Sequence, residues 1–517
     1  MMGSRMIAKL HTGSLSGIDA QGVVVEISQT RGLPGVDIIG LPGAALRESR
    51  PRVMAAISNA GLQLPDRHFV VNLAPADLKK SGASYDLAIA LALLCECSLC
   101  PAEGFEDTLV LGELALDGGI RPARGVLAQL LGARRRGLKR AIIPRDDAAW
   151  AALVPDVDVL LAHDLRQVLD HFDGKGQLPH ASKVGASLDT RQPTFAHYGD
   201  MADVYGQASA KRALEIAAAG GHNLIMIGPP GAGKTMLASR LPGILPPPDA
   251  EERLELATIA SVAARGHPID QAVVRPFRAP HHSCSEAALV GGGHPIRPGE
   301  VTLAHGGVLF LDELPEFRRN VIEALRPTME SGRAMIVRAR ERVTMPAKPL
   351  VVAAMNPCAC GYAGDSKRVC RCSNEQAQRY RARISGPLID RFDMHVQLSS
   401  VPITALRQGS HGESSAVVRE RVIAARARAE ARDAQLPSAA ADMTLTALEP
   451  CARQLLCACV ERFGLSMRAF NKLLRVSRTV ADLEGCEPVL SHHVAEAVQY
   501  RLFDREAELQ PAQPQLS

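Results

Sequence analysis

A chain of 517 residues that is 46% hydrophobic has the length for several domains and enough apolar content to bury a core in each. With only 3% aromatic residues and a single tryptophan, Trp150, those cores rest on Ala, Leu, Val and Ile, which suits α/β layers and helices rather than a sandwich. The 59 Lys and Arg against 55 Asp and Glu leave a net charge of +4, so a nucleic-acid partner requires basic residues concentrated locally.

The opening MMGSRMIAKLHTGSLSGIDA holds no apolar run of signal-peptide length, and no window approaches the roughly 20 apolar residues of a membrane span. The expectation is a cytoplasmic protein, no membrane partner and twelve reduced cysteines. Eight of the twelve, Cys95, Cys97 and Cys457 among them, stand between apolar neighbours and read as buried thiols.

Residues 1–172 alternate strand-like runs (GVVVEISQT, FVVNLAPAD) with helical ones (SYDLAIALALLCE, GVLAQLLGARRRG) and read as one α+β domain. Residues 173–200 are polar and rich in Gly, Pro and Ser, the composition of a linker. Residues 201–400 repeat buried strand, loop and helix, the pattern of a parallel α/β sheet. Residues 401–505 are almost wholly helical, and 506–517 read as a disordered tail. The Arg-rich helix around Val417–Ala434 mixes acids among its arginines and reads as a solvated surface.

The strongest chemical signal is HNLIMIGPPGAGKTMLASRL. Its loop Gly228-Pro229-Pro230-Gly231-Ala232-Gly233-Lys234-Thr235 follows the apolar strand Leu224–Ile227 and opens a helix. Glycines let the backbone turn its N–H groups onto phosphate oxygens at the positive end of that helix. Lys234 is placed to neutralise the β and γ phosphates of ATP, and the Thr235 hydroxyl to ligate Mg²⁺. About 75 residues on, the strand GVLFL delivers Asp312 and Glu313, candidates for the Mg²⁺ hydration shell and for the general base that activates water. PLVVAAMNP ends a further buried strand at Asn356, a neutral amide suited to orienting that water. Arg391 follows a short helix in LIDRFD, and Arg468 opens the helix of SMRAF.

In this order the motifs resemble AAA+ ATPases of the magnesium-chelatase and MCM-helicase branch. The longer runs RPFRAPHHSCSEAALVGGGHPIRPGEVTLAHGGVLFLDELPEF and AMNPCACGYAGDSKRVCRCSNEQAQRYRARISGPLIDRFD are similar to the ComM/YifB family of bacterial Mg-chelatase-like ATPases. The resemblance implies an AAA+ P-loop core, a C-terminal helical lid, Asn356 as sensor 1, Arg391 as arginine finger and Arg468 as the sensor 2 arginine. It implies a ring, usually a hexamer, and links members to branch migration and natural transformation. The first domain resembles the Lon/S5-like proteolytic module, with the serine position at Ser84 and the lysine position at Leu127. A serine without its lysine base should not cleave peptides. A protein-remodelling ATPase is the alternative reading, ahead of a protease.

Two further features bear on partners. In SGRAMIVRARERVTMPA, Arg338, Arg340 and Arg342 alternate along what reads as one face of a hairpin strand, a collar for DNA phosphates in a ring. The insert around Arg278, His281 and His282 is a candidate second pore loop. Cys358, Cys360, Cys370 and Cys372 form C-x-C, nine residues, C-x-C, and are placed to hold a structural Zn²⁺, though C-x-C is tighter than the usual spacing.

Overall fold

The computed structural model describes residues 8–43, 46, 48–80, 82–184, 198–263, 274–293, 295–338, 341–365, 368–400, 412–433 and 448–501. The expected tail at 506–517 and residues 185–197 of the expected linker lie outside them.

The first unit contains β1 (Lys9–Ser16), β2 (Asp19–Thr30), β3 (Gly35–Ile39), β4 (His68–Ala74), β5 (Thr108–Val110), the small hairpin β6 (Glu113–Leu114) and β7 (Ile120–Arg121), β8 (Arg140–Pro144) and β9 (Asp158–Ala162). Seven of these form a mixed sheet in the order β3-β4-β2-β1-β5-β8-β9. The period-2 alternation of a strand puts Ile142 and Leu160 in the core with helices Ser49–Asn59 and Asp86–Glu96, and Ala141, Ile143 and Leu161 in the core with helix Val126–Arg135. With both faces covered, β8 and β9 run continuously apolar.

The supposed linker starts late. Leu178 is buried in the first unit's core, Pro179 O accepts from Leu161 N, and His180 Nδ1 lies 2.6 Å from Asp158 Oδ1. Leu178 in one core, Ala181 packed against the other and these polar contacts hold residues 173–184 against β9.

The second sheet carries β11 (Phe277–Arg278), β14 (Val308–Leu311), β17 (Leu350–Met355), β10 (Leu224–Ile227) and β18 (Met394–Gln397), in that spatial order and all parallel. Two short hairpins accompany it, β12 (Gly291–Gly292) with β13 (Arg297–Pro298) and β15 (Arg333–Val337) with β16 (Arg342–Pro346). Leu224, Met226 and Val352 face a core shared with helices Ala208–Gly220 and Lys234–Ile244. Ile225, Val351 and Ala353 face the other side.

Among the described residues the helical region forms no separate core. Val422, Leu473 and Val480 join the cluster that holds Leu224 and Phe310. The arginines of helix Ser415–Asp433 correct the expectation of a solvated face. Arg421 bridges to Glu215 and Glu413, Arg426 donates to Ala218 O, Arg428 to Asp482 O and Arg432 to both Asp482 oxygens. Arg421 and Arg426 clamp the lid to the ATPase core through Glu215 and Ala218. Arg428 and Arg432 tie the helix to Asp482 of the lid's own helix Met467–Glu484; Glu215 and Asp482, distant in sequence, are the reason. Cys95 is buried as expected, whereas Cys457 is exposed on helix Pro450–Phe463.

The two units are joined by packing. Ala257 of helix Ala250–Ala263 is buried among the first unit's residues. Arg124 caps that helix, donating to Val262 O at 2.6 Å and Ala263 O at 2.8 Å, where a cation meets the negative helix end. At a second contact, Ile18 packs against Val343 and Met345 of the β15–β16 hairpin. A Cβ at Gly17 would fall 2.4 Å from Val343 Cγ1.

Candidate functional site

The phosphate loop leaves the C-terminal end of β10, an interior strand between β17 and β18, at the sheet end where open parallel sheets bind ligands. Gly231 (φ +78°) and Gly233 (φ +88°) occupy the left-handed region, and a Cβ at either would meet nothing within 4 Å. The cradle is therefore open, as a phosphate requires, and its glycines answer to backbone shape. Gly228 is glycine for a different reason: a Cβ there would fall 2.8 Å from Leu398 O.

The site's side chains contact one another. Lys234 Nζ donates to Gly228 O (2.6 Å), Pro229 O (3.1 Å) and Asn356 Oδ1 (2.9 Å). Burial lowers its pKa, opposed by the nearby Asp312 and Glu313. Thr235 Oγ1 donates to Asp312 Oδ2 at 2.9 Å, so the two oxygens placed to hold Mg²⁺ already face each other. Glu313 stands at φ +50°, a left-handed conformation that costs a non-glycine residue about 1–2 kcal/mol, and its N–H donates to Asp312 Oδ1. Its carboxylate points outward, with His282 Nδ1 at 3.6 Å. These residues suit a nucleotide triphosphate and its magnesium ion: donors on the loop, a hard oxygen pair, a carboxylate and an amide at the rim.

Arg391 lies elsewhere. It precedes β18, whose first residue pairs with Leu224, the first residue of β10. The phosphate loop leaves the far end of β10, so the two are separated by the length of a four-residue strand, roughly 10 Å at about 3.3 Å per residue. Arg391 faces a cavity of about 580 Å³ with Arg275, Lys348, Arg426, Lys472 and Arg475 on its lining. Its guanidinium pairs with Glu330, while its Nε is buried without a partner.

Sequence reasoning missed the residues that hold this arginine. Asn223 Nδ2 donates to Arg391 O at 3.4 Å and Asn223 N to Asp393 Oδ2 at 3.0 Å. Lys472 Nζ reaches Asp390 O and, at 3.0 Å, Phe392 O; burial pushes its pKa down to about 8. Arg468 is exposed at the start of helix Met467–Glu484, one turn before Lys472 and on the same face. The one available signal was that four-residue spacing. Nothing in sequence marked Glu330, and His282 stood out only as part of a candidate pore loop, not as a neighbour of Glu313.

The basic hairpin differs from expectation. Arg338 and Glu341 exchange backbone hydrogen bonds, and Val337 pairs antiparallel with Arg342. Arg338 and Arg342 therefore flank a tip instead of sharing one strand; Arg340 lies outside the described residues. The exposed face of the hairpin is Arg333, Met335, Val337, Arg342 and Thr344. Arg278 makes a bidentate pair with Glu300 at 2.7 and 2.9 Å, a structural contact rather than a free pore residue. The sulfurs of Cys358, Cys360, Cys370 and Cys372 converge within 4.8 Å.

In the first unit, Ser84 lies two residues before helix Asp86–Glu96, which fills one core, and Leu127 is buried in the other, across the sheet. Among the described residues no helix is long and apolar enough to cross a membrane.

Three family descriptions cover most of the chain: "Magnesium chelatase, subunit ChlI" matches residues 200–406, "Subunit ChlI of Mg-chelatase" residues 25–147 and "Magnesium chelatase, subunit ChlI C-terminal" residues 412–501. The chain is 43% identical over 505 residues to the uncharacterized protein YifB of Salmonella typhimurium, covering 96% of this chain and 98% of that one. It is 40% identical over 507 residues to the competence protein ComM of Haemophilus influenzae, with 96% and 98% covered. A Lon protease of Mycolicibacterium smegmatis is 28% identical over 166 residues, 31% of this chain and 21% of the protease. The glycine cradle, the paired Thr235 and Asp312, the parallel sheet beneath them and these full-length likenesses agree: the chain belongs to the YifB/ComM family of magnesium-chelatase-like proteins and carries its AAA+ ATPase core.

Proposed function

We propose that the chain is an ATP-driven DNA motor that assembles as a ring, a hexamer by family analogy. In this reading it migrates DNA branches in recombination or natural transformation, within the cytoplasm. The observation that carries the reading is the placement of Arg391 at the sheet end opposite the phosphate loop of its own chain. An arginine there can act on a nucleotide only if a second copy presents one, so hydrolysis and assembly are linked.

Bound Mg-ATP supplies the transferable phosphoryl group and the charge that neutralises it. Around it, Gly228–Thr235 and Lys234 orient the phosphates, Thr235 and Asp312 hold the metal's ligand sphere, and Glu313 takes a proton from the attacking water. Asn356 orients that water. Arg391 and Arg468, from the adjoining subunit, stabilise charge as it develops. A zinc ion in the four-cysteine cluster has a structural part only, because four protein thiolates leave no open position.

The β15–β16 hairpin supports DNA as the cargo. Arg333, Arg338 and Arg342 surround exposed Met335 and Val337, a basic rim with apolar atoms that can contact bases. Its first strand begins at Arg333, three residues after Glu330, the partner of Arg391. A finger that leaves Glu330 for a neighbour's phosphate thus acts on the root of the hairpin.

The test is a labelled four-way DNA junction with Mg-ATP, using wild type and Glu313→Gln. Resolution by wild type alone supports the motor; hydrolysis without junction binding ends the DNA reading and leaves a protein client. Arg338→Ala with Arg342→Ala is expected to lower the salt slope of DNA binding by about 2 and leave basal ATPase unchanged. An unchanged slope removes the hairpin from the interface.

A further inference from the structure

Strand β17 ends at Met355, and the next residues, Asn356-Pro357-Cys358-Ala359-Cys360-Gly361, turn back across the phosphate loop. Asn356 accepts the hydrogen bond from Lys234. Five residues later Gly361 lies against Pro230. Gly361 has φ +86°, and a Cβ there would fall 2.7 Å from Pro230 Cδ and 2.8 Å from Cγ. Carbon atoms do not approach so closely, so this glycine is demanded by its contact with the phosphate loop as well as by its turn. The segment after β17 touches that loop at two points, and its position fixes theirs.

No hydrophobic core holds this segment. Among its described residues from 358 to 373, Cys358 is the one fully buried apolar side chain, and Val369 is 89% exposed. Its organising feature is sulfur. Cys358 Sγ lies 3.4 Å from Cys360 Sγ and 3.6 Å from Cys370 Sγ, and Cys360 Sγ is 3.6 Å from Cys370 Sγ. Disulfide sulfurs would lie at about 2.05 Å. Four thiolates bonded to one tetrahedral zinc at about 2.3 Å stand roughly 3.8 Å apart, close to the spacing observed. The set contains no oxygen ligand, which selects a thiophilic ion and disfavours magnesium or calcium. The cluster fits a single ion, despite its C-x-C spacing.

We propose that a zinc ion in this tetrathiolate braces the phosphate loop through the Gly361–Pro230 contact, so that ATP affinity depends on a metal that never touches the nucleotide. The inference rests on the nucleotide-binding reading of Gly228–Thr235. Binding the ion holds the Cys358–Cys360 and Cys370–Cys372 pairs together, since no apolar core among the described residues does so. With the ion in place, Gly361 closes one side of the cradle and Asn356 stays in register with Lys234. Without it the cradle must be ordered by the nucleotide itself, and affinity falls by that cost.

The experiment uses full-length protein. Metal analysis after purification without chelator should find about one zinc per chain. A fluorescent ATP analogue is then titrated before zinc removal, after it, and after zinc is restored. The expected result is a loss of affinity on the order of tenfold that zinc reverses, with the bulk thermal transition retained. Gly361→Val supplies a second arm: it keeps all four thiolates and should retain zinc while losing affinity to a similar degree. Absence of zinc overturns the proposal. So does an affinity that stays within about twofold when zinc is removed and in Gly361→Val. If zinc-loaded protein fails to bind the analogue at all, the phosphate-loop reading itself has failed, a result distinct from both.

Discussion

The two ends of the five-stranded sheet are built on opposite plans. At the C-terminal end, Lys234 meets Asn356, Thr235 meets Asp312, and glycines leave an open cradle between them. Every group needed to grip a nucleotide is present in one chain. At the other end Arg391 is nearly buried, held by Glu330, Asn223 and Lys472 above a cavity rich in cations. In the proposed reading, one end completes a site and the other offers a part to a second copy, so that each subunit would hold most of one ATPase centre and a fragment of another.

The largest test of that contrast is Arg391→Ala, expected to lower ATP turnover by about 10³ or more while nucleotide binding persists. Mixing it with Lys234→Ala, equally silent alone, should restore turnover, because the second variant lends its arginine to the first variant's intact loop. Failure to recover on mixing would return both functions to one chain. Glu313→Gln should cost on the order of 10²–10⁴ in kcat and leave ATP-analogue binding intact.

A third test asks whether the far end alone carries a titrating device. His222, just before β10, is buried against Thr479 at 2.8 Å. Burial holds its pKa at about 4, with Asp393 raising it and Arg475 and Lys472 lowering it further. The unfolded chain, at an ordinary value of about 6.5, therefore takes up the proton first. The stability from neutral His222 is complete above pH 6.5 and is lost as pH falls toward 4, by at most about 3 kcal/mol. Thermal melts from pH 7 to 5 should show a decline that His222→Gln flattens. The smallest effect belongs to Glu330→Gln, which frees the finger. Basal ATPase should change only about two- to fivefold, within the range typical of a partly exposed pair, and DNA stimulation should change more than the basal rate. Equal changes in both would detach Glu330 from the hairpin.

Much of the phosphate end was legible from sequence because its parts are local. Strand, glycine loop and helix are consecutive, and Leu224–Ile227, Val308–Leu311 and Leu350–Met355 each read as short buried runs bounded by polar residues. The opposite end depends on pairs far apart in the chain. Arg391 meets Glu330 at a separation of 61 residues, and Lys472 meets Phe392 at 80. No periodicity announces such pairs. The same reason hid the clamps of helix Ser415–Asp433, where Arg421 meets Glu215 at a separation of 206. The hairpin failed for a local reason: alternation predicted one strand through Arg338–Arg342, whereas Val337 pairs antiparallel with Arg342, and the Arg, Ala and Glu of that run carry no turn signal.

Helix Ala250–Ala263 follows the phosphate loop in sequence, yet it seats Ala257 among the first unit's side chains and takes its cap from Arg124. Truncating the chain at the polar stretch near residue 185 would therefore not yield a free-standing motor. It would strip an apolar helix face of its cover and expose it to water, with insolubility as the foreseeable outcome. Anyone dividing this protein for study should cut by shared burial, keeping residues 8–184 with the helix they shelter.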